Sequence, residues 1–205
     1  VPTNYDEFRS TLKKNFKANL NKANNKLSKH GDVEYIIREG NQVDPKDIQV
    51  VADVEHACWK GVEGTSIKSN GKRMEFYTKL SESLAKKEWL AFHFLRIEGE
   101  TIAANFSVNF MGSTLLWKLG YSDIFKRYSP GGMLMGEVIK YSVEHNADGR
   151  IDLMTNQSWY DNWNMQRRPF YNYWIFKSSY IGFILKITKL LKLKLKQLRN
   201  KNFNY

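Results

Sequence analysis

The stretch Tyr128-Ser129-Pro130-Gly131-Gly132-Met133-Leu134 lies between a predicted strand at 114–121 and a predicted helix at 133–145. Glycine lets the backbone approach a ligand closely, and the first turn of a helix presents unpaired N–H groups at the positive end of its dipole. A strand, a glycine-rich turn and a helix start therefore favour the binding of an anionic group such as phosphate. The same pattern is also typical of an ordinary turn, so the rest of the chain has to decide between the two interpretations.

The composition is that of a globular protein with a single core. The chain has 205 residues, of which 42% are hydrophobic and 26% charged, and this length suits one domain. The first residues show no signal-peptide pattern and no window reaches 18 apolar residues, so we expect a cytoplasmic protein. Because the sequence begins at Val1 rather than at Met, we also expect a fragment of a longer chain.

The single cysteine, Cys58, excludes an internal disulfide, and we expect no metal site. His56 lies two residues away, which on a helix points it to a different face, so Cys58 is expected to be a buried apolar residue rather than a nucleophile. His93 and His145 are expected to be structural.

The net charge of +11 is concentrated at the two ends of the chain. Ten Lys or Arg residues and no acidic residue follow Asp161, and the first 29 residues are also basic, whereas the middle is mildly acidic. This distribution points to an anionic partner or surface at the ends rather than at the predicted core.

Hydrophobic periodicity predicts a mixed α/β fold with helices on both faces of one central sheet. An antiparallel meander of three strands leads into the glycine-rich turn, and a short strand returns parallel to the last of them. The predicted helices are 5–28, 44–58, 74–87, 133–145 and 157–164, and the predicted strands are 33–39, 89–97, 101–111, 114–121, 150–154 and 169–177. Residues 61–71 are predicted to be a loop.

Residues 179–205 are predicted to form a basic amphipathic helix outside a globular domain of residues 1–178. Leu and Ile residues recur every three or four positions opposite a stripe of lysines. Such a helix suits a peripheral contact with an anionic membrane, at the inner face of the cell membrane, or with an acidic partner domain. It equally suits packing on the chain's own domain, and its lysines alone allow nucleic acid.

Four stretches of the sequence form a recognisable set: the basic helix Leu12-Lys13-Lys14-Asn15-Phe16-Lys17, the segment Trp59-Lys60-Gly61-Val62-Glu63-Gly64-Thr65-Ser66-Ile67, the turn Tyr128-Ser129-Pro130-Gly131, and Asp152 with Tyr160 and Trp163. Together they resemble the acetyltransferases associated with cellulose and exopolysaccharide synthesis (CelD-like), a branch of the GNAT acyl-CoA N-acyltransferases. They follow the family's order and cover about residues 11–176. One departure is Asp161, which stands where the family has a lysine, and family members are also longer.

The resemblance implies direct acyl transfer from acetyl-CoA or another acyl-CoA to an amine, with no metal. Such chemistry needs a pyrophosphate grip, a donor to the thioester oxygen and a route for protons. The donor is expected to be a backbone N–H near the end of the 114–121 strand. The cofactor grip is expected from Arg127, Ser129, Gly131, Gly132, Met133 and Tyr121.

The proton carriers and the acceptor site remain open at this point. Asp152 and Glu55 are candidate bases and Tyr160 a candidate acid, but each also suits a structural role, as a strand-end carboxylate, a helix-surface residue or a core residue respectively. Trp59, Lys60 and Trp163 are candidates for binding the acceptor, and the two tryptophans equally suit a place in the core.

Three functions compete on these grounds. The first is N-acylation of an amine, with an amino sugar of a surface polysaccharide as the expected acceptor. The second is aminoacyl-tRNA-dependent peptidyl transfer of the Fem type, in which the basic ends would hold tRNA. The third is a non-catalytic domain of the same fold that assembles complexes at a membrane surface.

Overall fold

The computed structural model describes residues 4–145, 150–155, 157–166 and 173–201, with side chains described up to residue 195. The chain divides into two compact units, residues 1–165 and 166–205. The predicted domain limit lay somewhat later, at residue 178.

The first unit is built on a five-stranded sheet in the order β1-β2-β3-β4-β5. The first four strands are antiparallel, and β5 lies parallel to β4. The antiparallel meander β2-β3-β4 and the parallel β5 were predicted from the sequence, whereas the pairing of β1 with β2 was not. The strands are β1 Val33–Glu39, β2 Leu90–Ile97, β3 Glu100–Phe110, β4 Ser113–Tyr121 and β5 Arg150–Asp152.

In the described part of the first unit, six α-helices accompany these strands, and a seventh belongs to the second unit. Short 3-10 turns at Pro45–Asp47, Ile67–Ser69, Asp123–Tyr128 and Ser158–Trp163 join them to the sheet. The helices are α1 Tyr5–Ser10, α2 Lys14–Leu27, α3 Ile48–His56, α4 Trp59–Val62, α5 Gly71–Ala85, α6 Pro130–His145 and α7 Tyr180–Lys201.

Each face of the sheet buries its own apolar cluster. Helices α3 and α5 cover one face, where an aromatic group of β2 and β3 side chains, Phe92, Phe94 and Phe106, packs with Ile48 and Val51. Helices α1, α2 and α6 cover the other face, with residues such as Leu95, Leu134 and Val138. The predicted helices on both faces are thereby confirmed.

The predicted single helix at 5–28 is wrong, because the structure breaks it between α1 and α2. The Thr11 side chain and backbone N–H both bond to the Phe8 carbonyl, which ends α1. Lys13 then adopts extended backbone angles before α2 begins. The break lets Leu12 turn into the core, where it is 4% exposed.

Two other sequence predictions also need correction. The 61–71 segment is not all loop, since it contains the end of α4 and the 3-10 turn at Ile67, whose side chain is fully buried. The predicted strand at 169–177 lies partly outside the described residues, and its described part, 173–177, forms no strand.

In the second unit, α7 confirms the predicted amphipathic helix. Its apolar side chains, including Ile184, Leu191 and Leu195, are exposed, and the ammonium of Lys189 lies 3.5 Å from the centre of the Trp174 ring. No helix in the described part of the chain is long and apolar enough to cross a membrane. A contact of α7 with an anionic membrane or acidic partner stays a prediction.

Candidate active site

The candidate site is organised by the two ends of β4, which differ in their neighbours. Residues 113–115, here called the closed end, pair with β3 on one side and with all three residues of β5 on the other. Residues 116–121, here called the open end, pair with β3 alone, because β5 stops at Asp152, opposite Leu115. Among the described residues, no strand covers the outer edge of the open end.

A β-bulge lies where the closed end gives way to the open end. The register with β3 shifts so that Phe106 faces Lys118 while Ser107 faces Leu116, which leaves Trp117 as an extra residue. A bulge bends a strand and re-aims its backbone groups. It therefore turns the strand just where the outer edge of β4 becomes free to bind a ligand.

The glycine-rich turn follows the open end. Ser129 has a left-handed backbone (φ 50°, ψ 49°), and Pro130 opens α6. Pro suits this position because it has no N–H to lose and its φ is already helical. The ring of Tyr121 lies against Gly131, where an added Cβ would be 3.2 Å from Tyr121 Cδ1. The turn thus brings the N-terminus of α6 to the last residue of β4.

Only two of the predicted backbone donors remain available at the start of α6. The Ser129 N–H donates to the Lys126 carbonyl at 3.0 Å, and the Met133 N–H donates to the Ser129 carbonyl at 3.0 Å. The first-turn N–H groups of Gly131 and Gly132 have no carbonyl four residues back within the helix. Within the described residues, the N–H groups of Ser129 and Met133 are used in the turn itself, whereas those of Gly131 and Gly132 have no carbonyl partner within the helix; the predicted cofactor grip stays a prediction.

Arg127 lies outside the helix start. It is exposed and lines a surface cleft together with Tyr128 and the C-terminal end of α2. Its guanidinium stacks on the Tyr128 ring at 4.7 Å from the ring centre.

Glu55 lies beneath the open end of β4 and is fully buried. One carboxylate oxygen accepts a hydrogen bond from Lys60 Nζ at 2.9 Å and lies 3.4 Å from Lys118 Nζ, and the other accepts from the Ile67 N–H at 2.8 Å. Two cations and a backbone donor compensate the burial of this charge. Glu55 is therefore not the solvated helix residue that one sequence interpretation offered.

Lys60 links this ion cluster to the backbone of β4. Besides Glu55, its ammonium donates to the carbonyl of Leu119 at 2.8 Å. Gly120, next in the strand, passes so close to α3 that an added Cβ would lie 2.6 Å from Glu55 Cα. Lys60 and Gly120 thereby hold the open end of β4 against α3, where β4 pairs with β3 but with no other described strand.

Asp152 and Tyr160 lie at and after the end of β5. Asp152 is half-buried, and its Oδ1 accepts from the Met154 N–H at 2.8 Å. Burial raises the pKa of Tyr160, and a hydrogen bond with Thr155 opposes that rise. Tyr160 is therefore held in its protonated form at neutral pH, as a proton donor must be.

The predicted acceptor residues occupy different environments. Trp59 is 47% exposed, and Lys60 is tied into the ion cluster with Glu55. Trp163 is 1% exposed, edge-on to Phe16 at a centroid distance of 4.9 Å, and fills the space beside Gly136. This position fits packing better than direct contact with an acceptor.

Sequence reasoning missed several residues of the site. The missed residues are Lys118, Leu119 and the cleft residues near the end of α2. They contact residues that are distant in the sequence, so only the folded structure brings them together. Gly120 did carry a signal, because glycine inside a strand often marks a close approach of another backbone. The residues predicted to be structural are found in the interior: Cys58 is free and buried, and His93 is buried in β2.

An unpaired strand edge followed by a glycine-rich helix start is suited to binding an extended, anionic ligand. Residues 14–162 match the acetyltransferase (GNAT) domain family. The chain belongs to this family and is a GNAT-type N-acyltransferase.

Solved structures with the same fold include a possible acetyltransferase from Clostridium difficile 630. It has a TM-score of 0.50 and 16% identity over 71% of this chain and 99% of that one. The aminoglycoside N-acetyltransferase AAC(6')-Iy in complex with CoA has a TM-score of 0.48 and 10% identity over 71% of this chain and 97% of that one. At such identities the likeness concerns the fold alone. A comparison with curated proteins finds no match.

Proposed function

We propose that this protein transfers an acetyl or other acyl group from its CoA thioester to the amine of an amino sugar, in the synthesis of a surface polysaccharide. The observation that carries acyl-CoA binding is the open end of β4, which the 3-10 turn Asp123–Tyr128 connects to Gly131 and Gly132 at the start of α6. The polysaccharide role rests on the CelD-like motifs of the sequence.

The open end of β4 supplies a backbone track for the extended arm of the cofactor. Leu115 and Tyr121 are six residues apart, which corresponds to about 20 Å of strand. The thioester would lie near the bulge at Trp117, with a backbone N–H there donating to its carbonyl oxygen as negative charge develops. The pyrophosphate would lie at Gly131 and Gly132, where the helix dipole favours negative charge.

The reaction needs two proton transfers around the thioester carbon. The amine nitrogen attacks the carbonyl carbon, the C–S bond breaks, and the acyl group ends on nitrogen. Asp152, beside the bulge, would accept the proton that the amine loses, and Tyr160 would donate one to the departing thiolate. Glu55 acts differently in this proposal, by holding Lys60 on the Leu119 carbonyl and so positioning β4.

Binding of the cofactor is tested with paired variants of one residue. An added Cβ at Gly132 meets Leu20 and Ser129 at ordinary distances of 3.6 and 3.8 Å, so Gly132→Ala should fold normally. Gly132→Asp should weaken acetyl-CoA binding at least tenfold by repelling the pyrophosphate, as measured by calorimetry. Failure of the wild type to bind acetyl-CoA and longer acyl-CoAs would refute the proposal. Salt-sensitive tRNA binding without a CoA response would favour the Fem-type alternative.

The acceptor is tested by following thiol release from acetyl-CoA with a panel of free and nucleotide-linked amino sugars. N-deacetylated sugars should give turnover, and their N-acetylated counterparts should give none. Asp152→Asn should lower kcat while leaving the affinity for acetyl-CoA unchanged. Turnover with peptide or small aliphatic amines, but with no amino sugar, would reject the proposed acceptor class.

A further inference from the structure

A basic cleft lies beside the glycine-rich turn and has no role in the proposal so far. It has a volume of about 380 Å³ and is lined by Lys26, Lys29, His30, Arg127 and Tyr128. None of its lining residues is acidic. Lys26, Lys29 and Arg127 make no ion pair with any residue in the described part of the chain. The cleft therefore concentrates positive charge that no carboxylate among the described residues neutralises by an ion pair.

A buried residue holds part of this cleft in place. Tyr128 is 5% exposed, and its hydroxyl shares a hydrogen bond of 2.6 Å with His30 Nε2. The guanidinium of Arg127 stacks on the other part of the same ring. The core thus fixes Tyr128, which orients His30, three residues beyond the end of α2, and Arg127 of the turn before α6. Orientation in advance lowers the entropic cost of binding a ligand.

The cleft is adjacent to the proposed pyrophosphate site. Tyr128 directly precedes Ser129, and the Cβ position of Gly132 lies 3.6 Å from Leu20 of α2. Lys26 follows Leu20 by six residues, a rise of about 9 Å along the helix. A ligand with one phosphate group at Gly132 can therefore place a second one in the cleft.

We propose that this cleft is a binding site for a phosphate monoester. An arginine and two lysines supply charge-assisted donors, which is the chemistry that recognises phosphate oxygens. The phosphate could come from the 3'-phosphate of the acyl-CoA bound at the turn, an assignment that rests on the proposed function. It could also come from a separate phosphorylated molecule. The two sources predict different binding results.

The test compares CoA with 3'-dephospho-CoA and with inorganic phosphate, each measured by calorimetry on the wild type and on Lys26→Ala/Lys29→Ala. Lys22→Ala is the matched control, because Lys22 is exposed on the same helix but does not line the cleft. If the cofactor supplies the phosphate, the wild type should bind CoA about tenfold more tightly than dephospho-CoA. The double variant should lose that difference, and Lys22→Ala should keep it.

A separate phosphate source gives another pattern. CoA and dephospho-CoA would then bind the wild type equally, while inorganic phosphate would bind the wild type and Lys22→Ala but not the double variant. The proposal is overturned if the double variant matches the wild type for all three ligands. If neither CoA form binds the wild type, the proposed function fails, and the phosphate measurement alone then supports or overturns the cleft.

Discussion

The two ends of β4 are held in place by different means. The closed end has strands on both sides, and Arg150 of β5 donates to the Ser113 side chain at 2.6 Å. The open end has β3 on one side only, and beneath it the buried cluster of Glu55 with Lys60 and Lys118 takes over. Side chains thus hold the strand in place where no described strand pairs with its outer edge. Four substitutions or conditions test this difference, and we give the largest expected effect first.

Glu55→Ala should destabilise the protein most. It leaves two lysines and the Ile67 N–H without their buried acceptor, and breaking such a cluster costs about 4 kcal/mol. We expect a matching loss in the free energy of unfolding by denaturant. The control is Glu75→Ala, which removes an exposed carboxylate paired with Lys79 and should leave the midpoint unchanged. Equal effects of the two variants would contradict a special role for the cluster.

Acidification should lower the free energy of unfolding through His93, a buried residue of β2 that lies in line with the open end of β4. His93 lies opposite Asn105, which lies opposite Leu119. His93 is 2% exposed, no partner of its ring nitrogens is found among the described residues, and burial lowers its pKa from 6.5 to about 4. The unfolded chain therefore binds this proton more readily. Stability should fall as the pH drops from about 6.5 to about 4, by about 3 kcal/mol in total.

Replacement of the histidine isolates this effect from the titration of carboxylates. His93→Leu should remove that part of the pH dependence and unfold at an equal or higher denaturant concentration at pH 7.5. Unfolding curves of both proteins between pH 4 and 7.5 provide the measurement. Parallel pH profiles would show that His93 is already protonated, or hydrogen-bonded, in the folded protein.

Gly120→Ala should push the open end away from α3. The new Cβ would lie 2.6 Å from Glu55 Cα and 2.8 Å from its backbone nitrogen, so backbone has to move. We expect a loss of about 2 kcal/mol in unfolding free energy, as for other overpacked sites. Gly132→Ala, whose Cβ has ordinary contacts, serves as the control and should differ from the wild type by much less.

Arg150→Ala tests the closed end and should have the smallest effect. It removes one hydrogen bond to Ser113 at an exposed strand end, worth about 1 kcal/mol. Because β3 and β5 both remain paired with β4, thermal unfolding should shift by only a few degrees. A loss as large as that of Glu55→Ala would mean that the short β5 depends on this one contact.

The sequence predicted the strands of this protein better than its helix boundaries. Alternation of apolar residues and glycine-containing turns fixed β1 to β4 to within a residue or two. The helix at 5–28 failed because its periodicity continues through Thr11 to Lys13. There, a side-chain bond to a carbonyl and the burial of Leu12 outweigh helix propensity.

The site was predictable where its parts are contiguous in the chain. The glycines and the proline of residues 128–134 predicted a turn, and the left-handed backbone of Ser129 confirms it. The cluster around Glu55 joins residues up to 63 positions apart, 118 minus 55, and the cleft joins α2 to the turn across about 100 residues. These long-range contacts depend on how α3 and α2 pack on the sheet, and a local sequence pattern does not determine that packing.

The open end of β4, whose outer edge no described strand covers, also bears on how this protein behaves at high concentration. An unpaired strand edge is a template onto which the edge of another molecule can add, and proteins commonly guard against this with a bulge or a lysine. β4 has both, at Trp117 and Lys118. A ligand along this edge would occupy the same backbone groups, so we expect acyl-CoA to slow aggregation of the stored protein as well as to supply the acyl group.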